Sequence, residues 1–314
     1  MIESAAAPLE PTPEALRNPV QRYLLATRPA FLTITIAGCL LGFAMAPVFR
    51  WELAALTLVL ALLAHAGVNV LNDYYDHLNG TDAANTGRLF PFTGGSRFIQ
   101  NRVFTPRQTL VYGLVLFAIV MAGGLWLIQQ SGPGLFWIGL AGLAIGWAYS
   151  APPLKLNSRG LGELCVAAGF LLIVAGSAFV QQGGFDPLSW IVGLPYALLV
   201  TNVLYINQFP DREADRQAGK WHWVARLEPH VAARGYWLIL GLAVAALLAS
   251  VVAGVLSPWA LVSLAGVLPA IKAGHLLTAH ASEPARLVPP IQMTILAAHL
   301  QPVILACVLF WSGR

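Results

Sequence analysis

The strongest constraint on this chain is a series of apolar runs, each long enough to cross a bilayer. A helical span needs roughly 17–25 residues. Nine such runs are readable, over about 30–49, 52–72, 108–128, 134–150, 161–181, 188–208, 233–254, 257–277 and 289–311. Inside hydrocarbon each backbone N–H and C=O must be paired within its own segment, so these runs fold as helices. The expected fold is all-α: a polytopic membrane protein, a nine-transmembrane-helix bundle. Residues 1–29 read as a cytoplasmic tail and 30–314 as a single transmembrane domain. The tail carries Glu3, Glu10, Glu14 and several prolines, with no basic segment ahead of an apolar core. A flexible tail without a cleavable signal peptide is therefore expected.

Orientation follows from the basic residues, which gather in alternate loops. Arg17, Arg22 and Arg28 precede the first span, and Arg88, Arg97, Arg102 and Arg107 lie in the 73–107 loop. Lys155 and Arg159 follow the fourth span, and Arg212, Arg216, Lys220 and Arg226 follow the sixth. The loops near 130, 184 and 256 have none. This pattern predicts a cytoplasmic N-terminus in a cell (inner) membrane, with the C-terminus on the other side. Trp51, Trp126, Trp137, Trp190, Trp259 and Trp311 all fall at the predicted outer ends, where an aromatic belt belongs. The formal net charge of +4 is a by-product of this topology, and no nucleic-acid partner is expected. Cys39, Cys165 and Cys307 sit in apolar runs with no metal-ligand spacing, so they read as packing residues.

Two acidic stretches stand out because only 10% of the residues are charged. The first, Asn69 to Asp82, ends the second apolar run. On a helix Asn69, Asp73 and Asp76 share a face at i, i+4 and i+7, and Asn72 and Asp76 form another i, i+4 pair. The second, Asn207 to Asp215, ends the sixth run with Asn207, Asp211 and Asp215 at i, i+4 and i+8. A charge at the membrane centre costs about 2.5–3.5 kcal/mol on insertion scales, so neither face can meet lipid. Both open on the predicted cytoplasmic side, which suggests one shared site. Pro210 interrupts the second stretch as a kink or as the first turn of a new helix. The long loop after the first stretch contains Gly94-Gly95, whose N–H groups could approach an anion. Two prolines after the fourth run leave Tyr149, Ser150 and Lys155 at the same mouth, and Glu163 opens the fifth run.

Facing carboxylates with amide neighbours suit Mg²⁺, an oxygen-seeking ion that keeps several waters and is usually shared with substrate phosphates. Asn72, Asp73, Asp76, Asn207, Asp211 and Asp215 supply such a cradle. Arg97, Lys155 and Lys220, with Arg88, Arg102 and Arg212, are the basic groups at hand for phosphate charge. An apolar bundle interior accepts a long hydrocarbon, so a diphosphate on an isoprenoid tail fits both halves. A transporter would place its binding groups near the midplane, and the acids here lie at one face. Haem binding lacks a Cys-x-x-Cys-His motif, and the Asp-Gly-x-x-Ala-Arg signature of CDP-alcohol phosphotransferases is absent.

Asn72-Asp-Tyr-Tyr-Asp76, then Gly80-Thr-Asp82, resembles the first motif of the UbiA superfamily of intramembrane prenyltransferases. The second is similar to Asn207-x-x-x-Asp211-x-x-x-Asp215-x-x-x-Gly219-Lys220. The resemblance runs from about Arg28 to the last span. Within the superfamily the 1,4-dihydroxy-2-naphthoate prenyltransferases of menaquinone synthesis are most similar, through Gly80-Thr-Asp82, Gly94 to Gln100 and Tyr149 to Glu163. That resemblance implies a Mg²⁺-dependent transfer of an isoprenyl chain from a polyprenyl diphosphate to an aromatic acceptor within membrane lipid. It implies that Asn72, Asp73, Asp76 and Asp82 hold Mg²⁺-diphosphate, with Asn207, Asp211 and Asp215 opposite. Lys155 and Lys220 would hold diphosphate oxygens, Asp76, Asp211 and Asp215 would be catalytic, and Tyr149 would meet the acceptor. The same reaction on 4-hydroxybenzoate or on another aromatic or lipid acceptor is the alternative. One departure bears on the acceptor: where the family usually has Arg-Thr-Leu after the lysine, this chain has Trp221-His222-Trp223.

Overall fold

Proline and left-handed turns decide where the apolar runs become helices. In the computed structural model, which describes residues 9–312, five of the helices begin on proline. They are α1 (Pro19–Ala26), α2 (Pro29–Phe43), α5 (Pro106–Ser131), α8 (Pro187–Gln217) and α10 (Pro229–Val252). Proline lacks the N–H that a first turn leaves unpaired anyway. Asn18 and Asp186 cap α1 and α8, and Thr105 with Gln108 forms a capping box on α5. The remaining helices are α3 (Trp51–Leu78), α4 (Thr81–Ala84), α6 (Gly134–Ser150), α7 (Gly162–Gln182), α9 (Trp223–Arg226), α11 (Leu268–His280) and α12 (Val288–Ser312). No strand occurs among the described residues.

The all-α membrane fold is as expected, but the count of nine spans is approximate. Seven helical spans among the described residues are long and apolar enough to cross. An eighth comes from α1 and α2, bent by 62° about Arg28, whose φ of 57° is left-handed. With 17 residues, α6 is short for a bilayer of about 20 residues per span. The eighth run is not one uniform helix: Pro258–Val267 is 3₁₀, and α11 follows. Pro269, with no N–H to donate, stands at that change.

Both acidic runs continue as helix beyond the apolar limit, α3 to Leu78 and α8 to Gln217. Pro210 lies inside α8 and starts no new helix. The α8 span is the most buried, packed against α2, α7, α10 and α12, while α3 packs chiefly on α5. Residues 1–8 of the expected tail lie outside the described residues. Residues 9–28 fold onto the 79–105 loop. Glu10 pairs with Arg88 at 2.5 Å and accepts from Asn101 Nδ2 at 3.0 Å. Leu16 joins Phe98, Val103 and Phe104 in a small apolar cluster.

With no water to expel between helices in lipid, packing relies on close backbone approach at small residues. At Gly266 a Cβ would come 2.4 Å from the backbone nitrogen of Gln301 on α12. Gly266→Ala is therefore expected to destabilise the bundle by about 1–3 kcal/mol, measured as a lower midpoint of thermal unfolding in detergent. An unchanged midpoint would contradict this contact.

Candidate active site

The last turns of α3 and α8 bring the two acidic stretches together over one cavity of about 640 Å³. Asn72, Asp76 and Asp82 line one side of its mouth, and Asn207, Asp211 and Asp215 line the other. Below them the wall is almost wholly apolar, formed by α3, α5, α6, α7 and α8. It reaches Leu127 and Leu135 at the far end of the α5–α6 hairpin. At Gly124, Gly139, Gly142 and Gly169 on this wall, an added Cβ would meet no neighbouring heavy atom within 4 Å.

Lys220 binds the two halves. Its Nζ is 2.7 Å from Asp76 Oδ1 and 3.5 Å from Asp215 Oδ1. Burial works against its charge, but Asp76 and Asp215 outweigh burial and hold its pKa above the ordinary lysine value. Asp82, on α4, shows the opposite balance. Burial first, then the Asp76 and Asp73 carboxylates, push its pKa well above the usual carboxylate range. Added positive charge at this mouth would favour its ionised form.

Asp211 accepts from Asn85 Nδ2 at 2.5 Å and from the Gly94 N–H at 3.3 Å. The Ser96 N–H donates to Asp73 at 3.3 Å. The Gly94-Gly95 turn thus gives its neighbouring N–H groups to the protein's own carboxylates, not to a free anion. Gly95 has φ +74°, and a Cβ there would lie 2.7 Å from Asp82 Oδ2. Only glycine lets the loop close this tightly on the first acidic stretch.

The sequence-predicted residues do not all reach the cavity. Asp73 is buried behind the mouth, ion-paired with Arg28. Arg97 reaches the Asp82 carbonyl and lies 3.9 Å from Glu10, away from the lining. Lys155 is an exposed left-handed turn residue, also off the lining. Lys220 and Tyr149 are on it. Residues not anticipated there include Arg28, Asn85, Asn157 and His222. A hydrogen-bonded row runs from Asp76 through Asn72 (3.1 Å) and Ser150 (3.0 Å) to Asn157 (3.4 Å). Glu163 accepts from Gln208 at 3.0 Å. For Arg28 the available signal was its place just before Pro29. For His222 it was the unusual Trp-His-Trp triplet.

Every acidic or amide donor at this mouth is an oxygen ligand type, and the Asn207 Oδ1 is buried with no hydrogen-bond partner. Among the described residues no three His, Cys, Asp or Glu side chains converge to cage a metal unaided. Such a donor set fits Mg²⁺ shared with phosphate oxygens and water better than a closed protein cage.

Membrane helices, a divided acidic mouth and an apolar shaft meet in one cavity. Residues 31–298 match the UbiA prenyltransferase family, and the chain belongs to that family. It is 28% identical over 210 residues to the 1,4-dihydroxy-2-naphthoate octaprenyltransferase of Mycobacterium leprae (strain TN), covering 66% of this chain and 69% of that one. It is 30% identical over 203 residues to the enzyme of the same name from Bacillus subtilis (strain 168), covering 62% of each. The fold is similar to the apo structure of a UbiA homolog from Aeropyrum pernix K1, with TM-score 0.64 and 19% identity over 91% of this chain and 98% of that one. A UbiA homolog from Archaeoglobus fulgidus, solved bound to GPP and Mg²⁺, superposes with TM-score 0.57 at 18% identity, covering 90% and 99%.

Proposed function

We propose that this protein transfers an isoprenyl chain from a polyprenyl diphosphate to an aromatic acceptor, 1,4-dihydroxy-2-naphthoate in menaquinone synthesis. The observation that carries the reading is the pair of acidic helix ends at the mouth of one apolar cavity. The names of the relatives support the acceptor. Asp76, Asp82 and Asn72 would hold Mg²⁺ on the α3 side, and Asp211, Asp215 and Asn207 on the α8 side. Bound there, the ion supplies Lewis-acid stabilisation of charge on the departing diphosphate.

The chain's own residues do the rest. Lys220 and Arg28, both on the cavity wall, meet the negative charge that builds as the allylic C–O bond breaks and its electron pair leaves with the diphosphate. The apolar shaft orients the tail and keeps water from the cation-like carbon. Tyr149 and Asn157 flank the space left for the acceptor ring. A ring carbon donates its electron pair to form the new C–C bond, and aromaticity returns when that carbon's substituent leaves without its bonding electrons, as CO₂ from a carboxylate-bearing carbon or as a proton to the departed diphosphate. Asp73, tied to Arg28 and Ser96, fixes the wall behind. In this reading the mouth faces the cytoplasm and the protein sits in the inner membrane, with the tail on the cytoplasmic side, as the basic loops suggest.

The test is product formation by purified protein in lipid, with Mg²⁺ and an isoprenyl diphosphate, on 1,4-dihydroxy-2-naphthoate and 4-hydroxybenzoate in parallel. Prenylated naphthoquinol that disappears with EDTA is the expected outcome. Product from 4-hydroxybenzoate alone would move the acceptor, and product from neither would overturn the reading.

A further inference from the structure

His222 is a buried imidazole on the cavity wall, 3% exposed, with no part in the steps above. Two hydrogen bonds of fixed direction hold it. Its Nδ1 accepts the Ala225 N–H at 3.2 Å, capping the short helix α9. The ring proton must then sit on Nε2. Nε2 lies 2.9 Å from Asp215 Oδ2 and donates to it. Oδ1 of the same carboxylate is left toward Lys220, at 3.5 Å. The tryptophans on either side anchor the backbone that carries the ring. The Trp221 N–H donates to the Ser158 carbonyl at 2.9 Å, and Trp223 Nε1–H to the Gly160 carbonyl at 3.0 Å.

We infer that His222 is a positioning residue for Asp215. Its Nε2–H clamps one carboxylate oxygen, so the other is already aimed when a metal-diphosphate arrives. Outer partners of a ligating carboxylate commonly matter for affinity by about 10–100-fold. The inference deepens the prenyl-transfer reading and rests on it.

Two substitutions separate the clamp from the cap. Asparagine at 222 keeps an acceptor near the Nδ1 position and is a strong N-cap, but its amide nitrogen is too short to reach Asp215. Glutamine reaches as far as Nε2 but no longer caps. The probe is Mn²⁺, titrated by electron paramagnetic resonance into purified protein with a nonhydrolysable geranyl thiolodiphosphate. His222→Asn is expected to fold and to unfold somewhat below the wild-type temperature, having lost the buried bond to Asp215, while its half-saturating Mn²⁺ rises about 10-fold or more. His222→Gln is expected to unfold earlier and to bind Mn²⁺ like wild type. Folded His222→Asn that binds Mn²⁺ like wild type would overturn the inference, as would equal weakening in both variants. If His222→Asn does not fold, Trp223→Phe takes its place: it removes the Nε1–H bond to Gly160 and shrinks the ring beneath Arg226, and should give a smaller rise. No rise there would likewise overturn it. Wild-type protein that binds no Mn²⁺ with the analogue would overturn the metal-diphosphate reading itself, whereas a wild-type response shared by the variants overturns only the role of His222.

Discussion

Asp76→Ala and Asp211→Ala are each expected to reduce prenyl transfer by about 10³-fold or more, with the bundle still folded. Removing one preorganised group that meets transition-state charge commonly costs about 10²–10³-fold, and in the proposed site each loss would also remove an oxygen ligand of the metal. The two residues come from different helices, so the pair tests whether both sides of the mouth are needed. Asp76 is one of two carboxylates on Lys220, and its loss leaves the buried ammonium with Asp215. Asp211 holds Asn85 and the Gly94 N–H, both at the rim of the cavity. Neither change therefore orphans a buried cation. Activity should be measured beside thermal unfolding of the same preparation. Near-wild-type turnover in either variant, with normal folding, would remove the two-sided site.

Lys220→Met should do the reverse and damage stability as well as activity. Methionine roughly keeps the apolar stem, so the change isolates the charge. Without it Asp76 and Asp215 face each other with no cation between them, inside a site where Asp82 already resists ionisation. Removing one partner of a buried pair typically costs about 3–5 kcal/mol. The variant should unfold at a markedly lower temperature than wild type. Mg²⁺ with an inert diphosphate analogue should raise that temperature more in the variant than in wild type, because an external cation then fills the role of the ammonium. A variant as stable as wild type would show that Lys220 is not the link between the halves.

Much of this architecture is legible in the residues because lipid leaves few choices. Runs such as 52–72 must be helical, and a helix fixes that Asp73 and Asp76 lie on related faces. The side of the bundle and the pairing of the acidic ends follow from the same reasoning. What sequence spacing does not show is which carboxylate looks inward. Asp73 turns away because Arg28, 45 residues earlier, meets it across the α1–α2 bend, a contact that exists only after folding. Arg97 and Lys155 carry the right charge, but each sits at a left-handed turn that leads its side chain elsewhere. The Gly94-Gly95 turn looks like an anion cradle locally and is satisfied by Asp211 and Asp73 from two distant helices. The charges and prolines of residues 1–29 read as a flexible tail, but the described residues 9–28 pack onto the protein. Their partners, Arg88, Asn101 and Phe98, all belong to a loop more than 60 positions away.

The four open glycines on the shaft, Gly124, Gly139, Gly142 and Gly169, act as vacant stops along a ruler. A methyl group at any of them enters empty space and presses on no neighbouring helix, so helix propensity would favour alanine there. A larger side chain at one of them would shorten the shaft from that point while the acidic mouth, the Lys220 link and the helix contacts stay as they are. If the shaft holds the tail as proposed, the tail length it accepts is separable from the chemistry at the mouth and from folding. Selection can adjust the one by single substitutions without renegotiating the others.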